Sequence, residues 1–485
     1  MEAQYRALPQ SPDLAHDISI PSAIEDVDES ILDDDLAPSS APVDSRILWI
    51  HFMLGSAVLL PWNVMITAEP YFLSRLRNSP IRSTFASYLA TTFTLSNFIF
   101  LAHATVTSKK VPSAQRTRWS MLCLALLTCL LTLSTFIHLP EGVFATFTIM
   151  AGIALAATGS YLQTSVIAVA SLFGPTAIQS LISGQAVVAV VLSAVQLIGA
   201  AGSLHSSQAG PTDGVAETRS ARLFFGISMT FLLACGAANA WMTRLPSFRA
   251  VIPNDEPWVL PRRLSISADP RSPRSPMLGG PLASVPDPKA IWDRILSVAR
   301  RNIIYELAVA YVFIITLSVF PAITISIAPT NPAIHPLFFS SLHFLVFNIG
   351  DWFGRYLCSF PRLLVWRARR LLVLSLARTL LIPLFLACNL HRDASSPSTP
   401  PIINSDVLYM LLLFAFGLSS GYVSSMCLMA APSLEHNPRL KGRKEDVDLA
   451  APIASFCVVG GLVLGSILSF TVRAIVCACN PFLAE

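Results

Sequence analysis

Apolar residues in this chain do not alternate with polar ones. They come in long runs, and eleven of these reach the length of about 20 residues that a helix needs to cross a bilayer. The runs lie near 47–68, 84–106, 119–138, 143–173, 178–201, 222–243, 303–327, 336–359, 371–389, 406–430 and 449–477. Several contain Gly, Pro or Ser, as membrane helices do where they bend or pack closely. The pattern predicts an all-α polytopic membrane protein with eleven transmembrane helices. An odd number puts the two termini on opposite sides.

The segments between the runs predict orientation. Loops after the even-numbered spans carry 22 Lys and Arg, and those after the odd-numbered spans carry 6, counting Arg222 at the head of its span. Cytosolic loops hold the excess of positive charge, so the N-terminus is expected in the cytosol and the C-terminus outside or in a lumen. Residues 1–44 hold 11 of the 29 acidic residues and the single base Arg6, and read as a disordered acidic cytosolic tail. A six-helix bundle is expected over 45–243, and a five-helix bundle over 303–485. Between them, 244–302 is rich in Pro, Ser and Arg and reads as a disordered basic loop. Basic residues precede Ser265 and Ser275, which makes a kinase a candidate partner of this loop. A flexible linker beside anionic lipid fits the same composition. Two bundles joined by a long loop suggest a central path between them, as in rocking transporters.

Composition removes the soluble alternatives. Hydrophobic residues make up 53% and charged residues 13%, against about 25% charged in a typical soluble chain. The net charge of +4 gives no case for a nucleic-acid partner. The nine cysteines sit mostly inside apolar runs and form no CxxC pair, which argues against a zinc ribbon or a disulfide framework. No metal site and no cofactor are expected. The chain holds no HExxH and no phosphate-binding GxxxxGK, and its GxSxG at 417–421 falls inside an apolar run, so neither an enzyme nor an ATP-driven pump is indicated.

The polar groups that remain inside the spans carry the chemistry. Arg355, Arg378 and Arg473 are the cations there, and Asp351 reads as the one carboxylate well inside a span. A charge at bilayer depth is costly and must face protein or water. Asp351 and Arg355 are four apart in FNIGDWFGRYL, on one helix face with Asn348 a turn earlier. They suit either a cavity wall or a structural ion pair. Arg378 reads as a bundle or gate contact, and Arg473 as a side chain snorkelling from a helix end. In LLPWNVMITAEPYF, Pro61 bends the first span, with Trp62 and Asn63 at the bend. An indole beside an amide can stack a flat ring and bond it, although an interfacial anchor also uses Trp. In TGSYLQTSVIA, Gln163 is an amide among apolar residues with Gly159 a turn before it. An amide can bond a base edge bidentately, or bond a neighbouring helix. Gln185, beside Gly184, reads as a packing contact.

These fragments together resemble the equilibrative nucleoside transporter family. LLPWNVMITAEPYF is similar to its first helix, and SYLQTSVIA with SGQA to its fourth and fifth. VFPAITISI is similar to the seventh and FNIGDWFGR to the eighth. LARTLLIPLFLACN, FAFGLSSGYVSSMC and LVLGSILSFTVRAIV follow as the ninth to eleventh. The resemblance implies an eleven-helix, major-facilitator-like fold in a 6+5 arrangement, and a fungal-type member is expected. It implies facilitated diffusion of nucleosides of the adenosine and uridine type, with nucleobases as further substrates. By the same resemblance Trp62 contacts the nucleoside and Leu59 lines the same pocket. Gln163 bonds the base and Gly159 leaves room for it. Asp351 and Arg355 address the ribose hydroxyls, with Asn348 and Phe344 nearby, and Leu462 is an apolar wall. Ser420 departs from the Asn that the family often has in helix ten. Helix two, TTFTLSNFIF, matches poorly, and Asn97 is the candidate there.

Asp351 beside Arg355 favours uniport over proton coupling, because an adjacent cation favours the charged carboxylate. A proton-coupled transporter of another polar solute is the alternative. A receptor or scaffold that transports nothing is a third reading, but it has no use for polar groups at depth. The plasma membrane is the expected location, with a vacuolar or lysosomal membrane as runner-up.

Overall fold

In a bilayer core every backbone N–H and C=O must be bonded within the protein, and a helix does this segment by segment. The computed structural model describes residues 43–82, 84–108, 111–205, 215–252, 288–320, 323–324, 327–331, 333–389 and 402–477, and these are almost wholly helical. The first part comprises α1 (Ser45–Thr67), α2 (Glu69–Arg75), α3 (Phe85–Val106), α4 (Ser113–Ser134), α5 (Glu141–Leu172), α6 (Pro175–His205), α7 (Val215–Met242) and the short α8 (Pro246–Val251). The second comprises α9 (Pro288–Val319), α10 (Pro336–Leu357), α11 (Ala368–Ala377), α12 (Leu381–Leu386), α13 (Asp406–Ala430) and α14 (Val447–Cys477).

Nine helices among the described residues are long and apolar enough to cross a membrane, with α1 and α2 forming one of them. The predicted eleven are thus not all matched by length and composition. Run 336–359 is helical as α10, but His343, Asn348, Asp351 and Arg355 lower its hydropathy. Run 371–389 is broken, α11 passing through a 3-10 turn at Arg378–Leu380 into α12. Pro383 in α12 has no N–H to offer the Thr379 carbonyl a turn earlier, which disfavours an unbroken α-helix there.

The predicted loop 244–302 is shorter than read. α8 occupies its start and α9 begins at Pro288, well before the apolar run at 303. Arg294 and Arg301, counted as loop residues, sit on α9 and pair with Asp446 at 2.9 and 3.8 Å. The tail over residues 1–42, Ser265, Ser275 and the Arg473 side chain lie outside the described residues.

Large apolar side chains such as Leu126, Ile198, Ile227, Leu380 and Leu411 stay exposed. A water-soluble surface rarely exposes so many large apolar side chains, and a lipid-facing one does. Helices α1 to α7 pack mainly on one another, as do α9 to α14; between the two groups, α3, α5 and α6 meet α9, α10, α13 and α14. Small residues set the closest crossings. A Cβ at Gly55 or Gly184 would meet the backbone carbonyl of Leu181 or Phe52, so α1 and α6 touch backbone to backbone. At the near face, where α1 begins, Asp44 caps α1 by accepting from the Arg46 amide, and accepts from Ser247 Oγ of α8 at 3.0 Å. The Arg46 amide bond is the main cause holding the Asp44 carboxyl below its usual range.

Candidate functional site

A cavity of about 540 Å³ lies between the two groups of helices. From α1 it receives Leu59, Pro61, Trp62 and Asn63, from α3 Asn97, and from α5 Gly159 and Gln163. From α10 it receives Phe344, Asn348, Asp351 and Arg355, and from α14 Leu462. Every residue read as substrate-binding lines this one space. Gln185, read as a packing contact, also faces it. Arg378 does not reach it.

Local structure explains how these side chains are presented. Pro61 cannot donate to the carbonyl a turn before it, and the indole of Trp62 stands 4.9 Å from the Phe93 ring, tilted by 45°. Asn63 donates its amide N–H to the Leu59 carbonyl at 2.8 Å, so its Oδ1 is left as the acceptor. Asn97 Oδ1 accepts from the Ser160 hydroxyl at 3.2 Å, leaving its N–H groups to donate. Gln163 Nε2 donates to Ser455 Oγ of α14 at 2.8 Å, leaving Oε1 as acceptor. The interhelical bond that the sequence offered as the alternative for Gln163 therefore exists, and the residue lines the cavity as well.

The ion pair forms as spaced. Arg355 Nε donates to Asp351 Oδ2 at 2.8 Å, with the side chains 11% and 13% exposed respectively. Arg355 Nη1 also donates to the Ile182 carbonyl of α6 at 3.1 Å. One carboxylate oxygen and part of the guanidinium remain for a ligand. Asn348 Nδ2 donates to Ser193 Oγ of α6 at 2.6 Å. The pair thus sits on the seam between the helix groups.

Arg378 is 2% exposed and lies behind the wall. It donates to the Phe416 carbonyl at 3.0 Å, to Ser419 Oγ, and to Thr316 Oγ1 at 2.8 Å, and its guanidinium covers the Phe416 ring at 4.5 Å. Thr316 lines the cavity. A cation without a carboxylate in ion-pair range is here held through its two terminal nitrogens by carbonyl and hydroxyl oxygens, over an aromatic face, while its Nε has no hydrogen-bond partner.

Sequence reading missed several members. Ser193 and Gln196 follow Gln185 at helical spacing along one face of α6, a polar stripe that periodicity could have found. Phe320 and Phe347 stack at 4.0 Å on the α9–α10 wall, with Phe344 edge-on to Phe320 at 5.2 Å. Asp351 is not the only deeply placed carboxylate. Glu306 of α9 is 4% exposed and lies inside a spanning helix.

Hydrogen bonds between the groups form a seam on one side of the cavity. Ser171 Oγ donates to the Val447 carbonyl at 3.4 Å, and Gln179 Nε2 to Ser359 Oγ at 2.8 Å. Both lie towards the near face. In the other direction the cavity extends to Thr67, the last residue of α1.

Replacing Gln163 by Ala removes both an acceptor and the bond to Ser455. Uptake is expected to weaken most for nucleosides whose base presents a matched donor to that amide. Competition assays with purine and pyrimidine nucleosides check this, and an unchanged ranking and affinity would leave Gln163 as an interhelical bond alone.

The family model described as "Nucleoside transporter" matches residues 148–474. Equilibrative nucleoside transporter 1 of Rattus norvegicus is 26% identical over 482 residues, covering 91% of this chain and 100% of that protein. Equilibrative nucleoside transporter 2 of Homo sapiens is 27% identical over 486 residues, with the same two coverages. Among solved structures, a fucose:proton symporter of E. coli superposes with a TM-score of 0.53 at 14% identity, covering 90% of this chain and 92% of its own. The same protein in an outward conformation, described as a Major Facilitator Superfamily transporter, gives the same score and covers 93% of its own chain. That likeness is one of fold alone; the family match over most of the membrane helices, with these relatives, shows that the chain belongs to the equilibrative nucleoside transporter family.

Proposed function

We propose that this protein carries nucleosides passively across a membrane by alternating access. The observation that carries the reading is the cavity between two helix groups, in which an indole, six side-chain amides and an Asp–Arg pair converge. Trp62 suits the flat face of a base and Gln163 its edge. Asp351 accepts from ribose hydroxyls and Arg355 donates to them. Two or three bonds of this strength hold a polar solute loosely enough to release it.

The excess of Lys and Arg in the loops on the near face supports a cytosolic N-terminus. The seam from Ser171 and Gln179 to the cavity then closes the cytosolic side, and the cavity's reach to Thr67 opens it outward. Transport requires this seam to part while the opposite side closes.

A uniporter brings substrate to equal concentrations and no higher. In proteoliposomes loaded through an imposed pH gradient, labelled uridine and adenosine are expected to level off at the external concentration. A protonophore is expected to leave that plateau unchanged. Accumulation above it, lost on adding the protonophore, would replace uniport by proton coupling.

A further inference from the structure

Glu306 lies outside the cavity and has no part in the reading above. It sits in the seam between α9 and α14, which run side by side in register. A Cβ at Gly461 would meet the Ala310 carbonyl, and one at Gly465 would meet the backbone around Ile314. One turn earlier on both helices, the same register brings Glu306 level with Cys457. Its Oε1 is buried and without a hydrogen-bond partner.

No counter-charge reaches it from the elements packed on α9. From α14, Cys457 is the titratable neighbour. α13 contains no Lys, Arg or His, and Arg369 and Arg370 of α11 are exposed. Arg378 is committed to Thr316, Phe416 and Ser419. His103 of α3 bonds Tyr161, and Arg439 bonds the Arg301 carbonyl. On α9 itself, Asn302 is taken up by Ala431 and Asn437, Tyr305 donates to the Trp366 carbonyl, and Arg294 and Arg301 pair with Asp446.

We infer that Glu306 is a proton-binding site, occupied while the cytosolic seam is closed and vacated when it opens. A buried carboxylate with neither donor nor cation is unfavourable, whereas the neutral acid is tolerated among apolar neighbours. The location links it to the transport cycle, and here the inference rests on the alternating-access reading. Phe313 and Thr316, two to three turns on along α9, line the cavity, as do Val458 and Leu462 just beyond Cys457. Ser455, two residues before Cys457, carries the bond from Gln163, and Val447 the bond from Ser171. Parting that seam brings water to the cytosolic half of α14, and with it to Glu306, which then ionises. The state that binds the proton more tightly gains population as pH falls. Acid therefore favours the closed seam and slows exchange, while the equal-concentration plateau is unaffected.

The test is equilibrium exchange of labelled uridine in proteoliposomes with the same pH on both sides. The wild-type rate is expected to rise several-fold from acid to alkaline pH. E306Q, whose amide imitates the neutral acid, is expected to stay flat near the wild-type acid limit. E306L, which adds no polar group, is expected to be flat as well. Infrared difference spectra of the purified protein at neutral pH give a second readout, a protonated-carboxyl band that E306Q removes. A wild-type pH profile surviving in both variants, pH-independent exchange in the wild type, or a band that E306Q does not remove would each overturn the proton site. Wild-type protein that shows the band but carries no nucleoside would overturn the transport reading and leave the proton site standing.

Discussion

Asp351→Asn and Arg355→Ala are each expected to remove most nucleoside uptake from protein that still reaches the membrane. Both changes strike the one ion pair that the cavity contains among the described residues, a 2.8 Å contact between side chains that are mostly but not wholly buried. Asp351→Asn keeps the shape and removes the charge. Arg355 then loses its counter-ion, and a ribose hydroxyl loses its strongest acceptor. A hydrogen bond to a charged group contributes about 1.5–3 kcal/mol, or roughly 10- to 150-fold in affinity. Arg355→Ala does more, because Arg355 also holds the Ile182 carbonyl of α6. It loosens the contact between the helix groups and leaves Asp351 uncompensated. Removing one partner from a fully buried pair costs about 3–5 kcal/mol, and the partial water access here reduces that figure. Initial uptake of labelled uridine, normalised to surface protein, decides the matter. Wild-type uptake in either variant would remove the pair from the site.

The sequence made this site legible because its members are polar where apolar residues are the rule. Asp351, Arg355 and Asn348 stand out within one run, and helical spacing alone places them on one face. The fold class was legible for the same reason. What could not be read were choices made between helices. Glu306 was passed over because it stands near the start of run 303–327, whereas the helix begins at Pro288 and places it well inside. No local signal separates a helix that starts in a polar stretch from a loop that precedes a helix. Arg378 shows the same limit. Its acceptors are two carbonyl or hydroxyl groups of α13 and a hydroxyl of α9, none near it in sequence. Ser193 is a plain serine until Asn348 of a distant helix is seen to bond it.

The glycines of α10 and α13 are a further feature that composition hides, and they lead to a second large effect. Gly350 and Gly354 on α10 are four apart, as are Gly417 and Gly421 on α13. A Cβ at Gly350 or Gly354 would run into the Phe414 or Leu418 carbonyl, and one at Gly417 or Gly421 into the Phe347 or Asp351 carbonyl. The two helices therefore cross at backbone contact, as small residues allow in membranes. The crossing lies directly behind Asp351, so it sets the depth at which the ion pair meets the cavity. Gly421→Ala forces a methyl group against a helix backbone that cannot rotate away as a side chain could. Overpacking of this kind costs typically about 1–3 kcal/mol, and the relaxation it demands shifts α10 and Asp351 with it. The expected result is a lowered melting temperature in detergent together with a large loss of uptake. Gly226→Ala is the control, since a Cβ there meets nothing within 4 Å, and Ala is the better helix former. It should melt at or above the wild-type temperature and transport normally. If Gly421→Ala behaved like Gly226→Ala, the α10–α13 crossing would not be what fixes the ion pair in place.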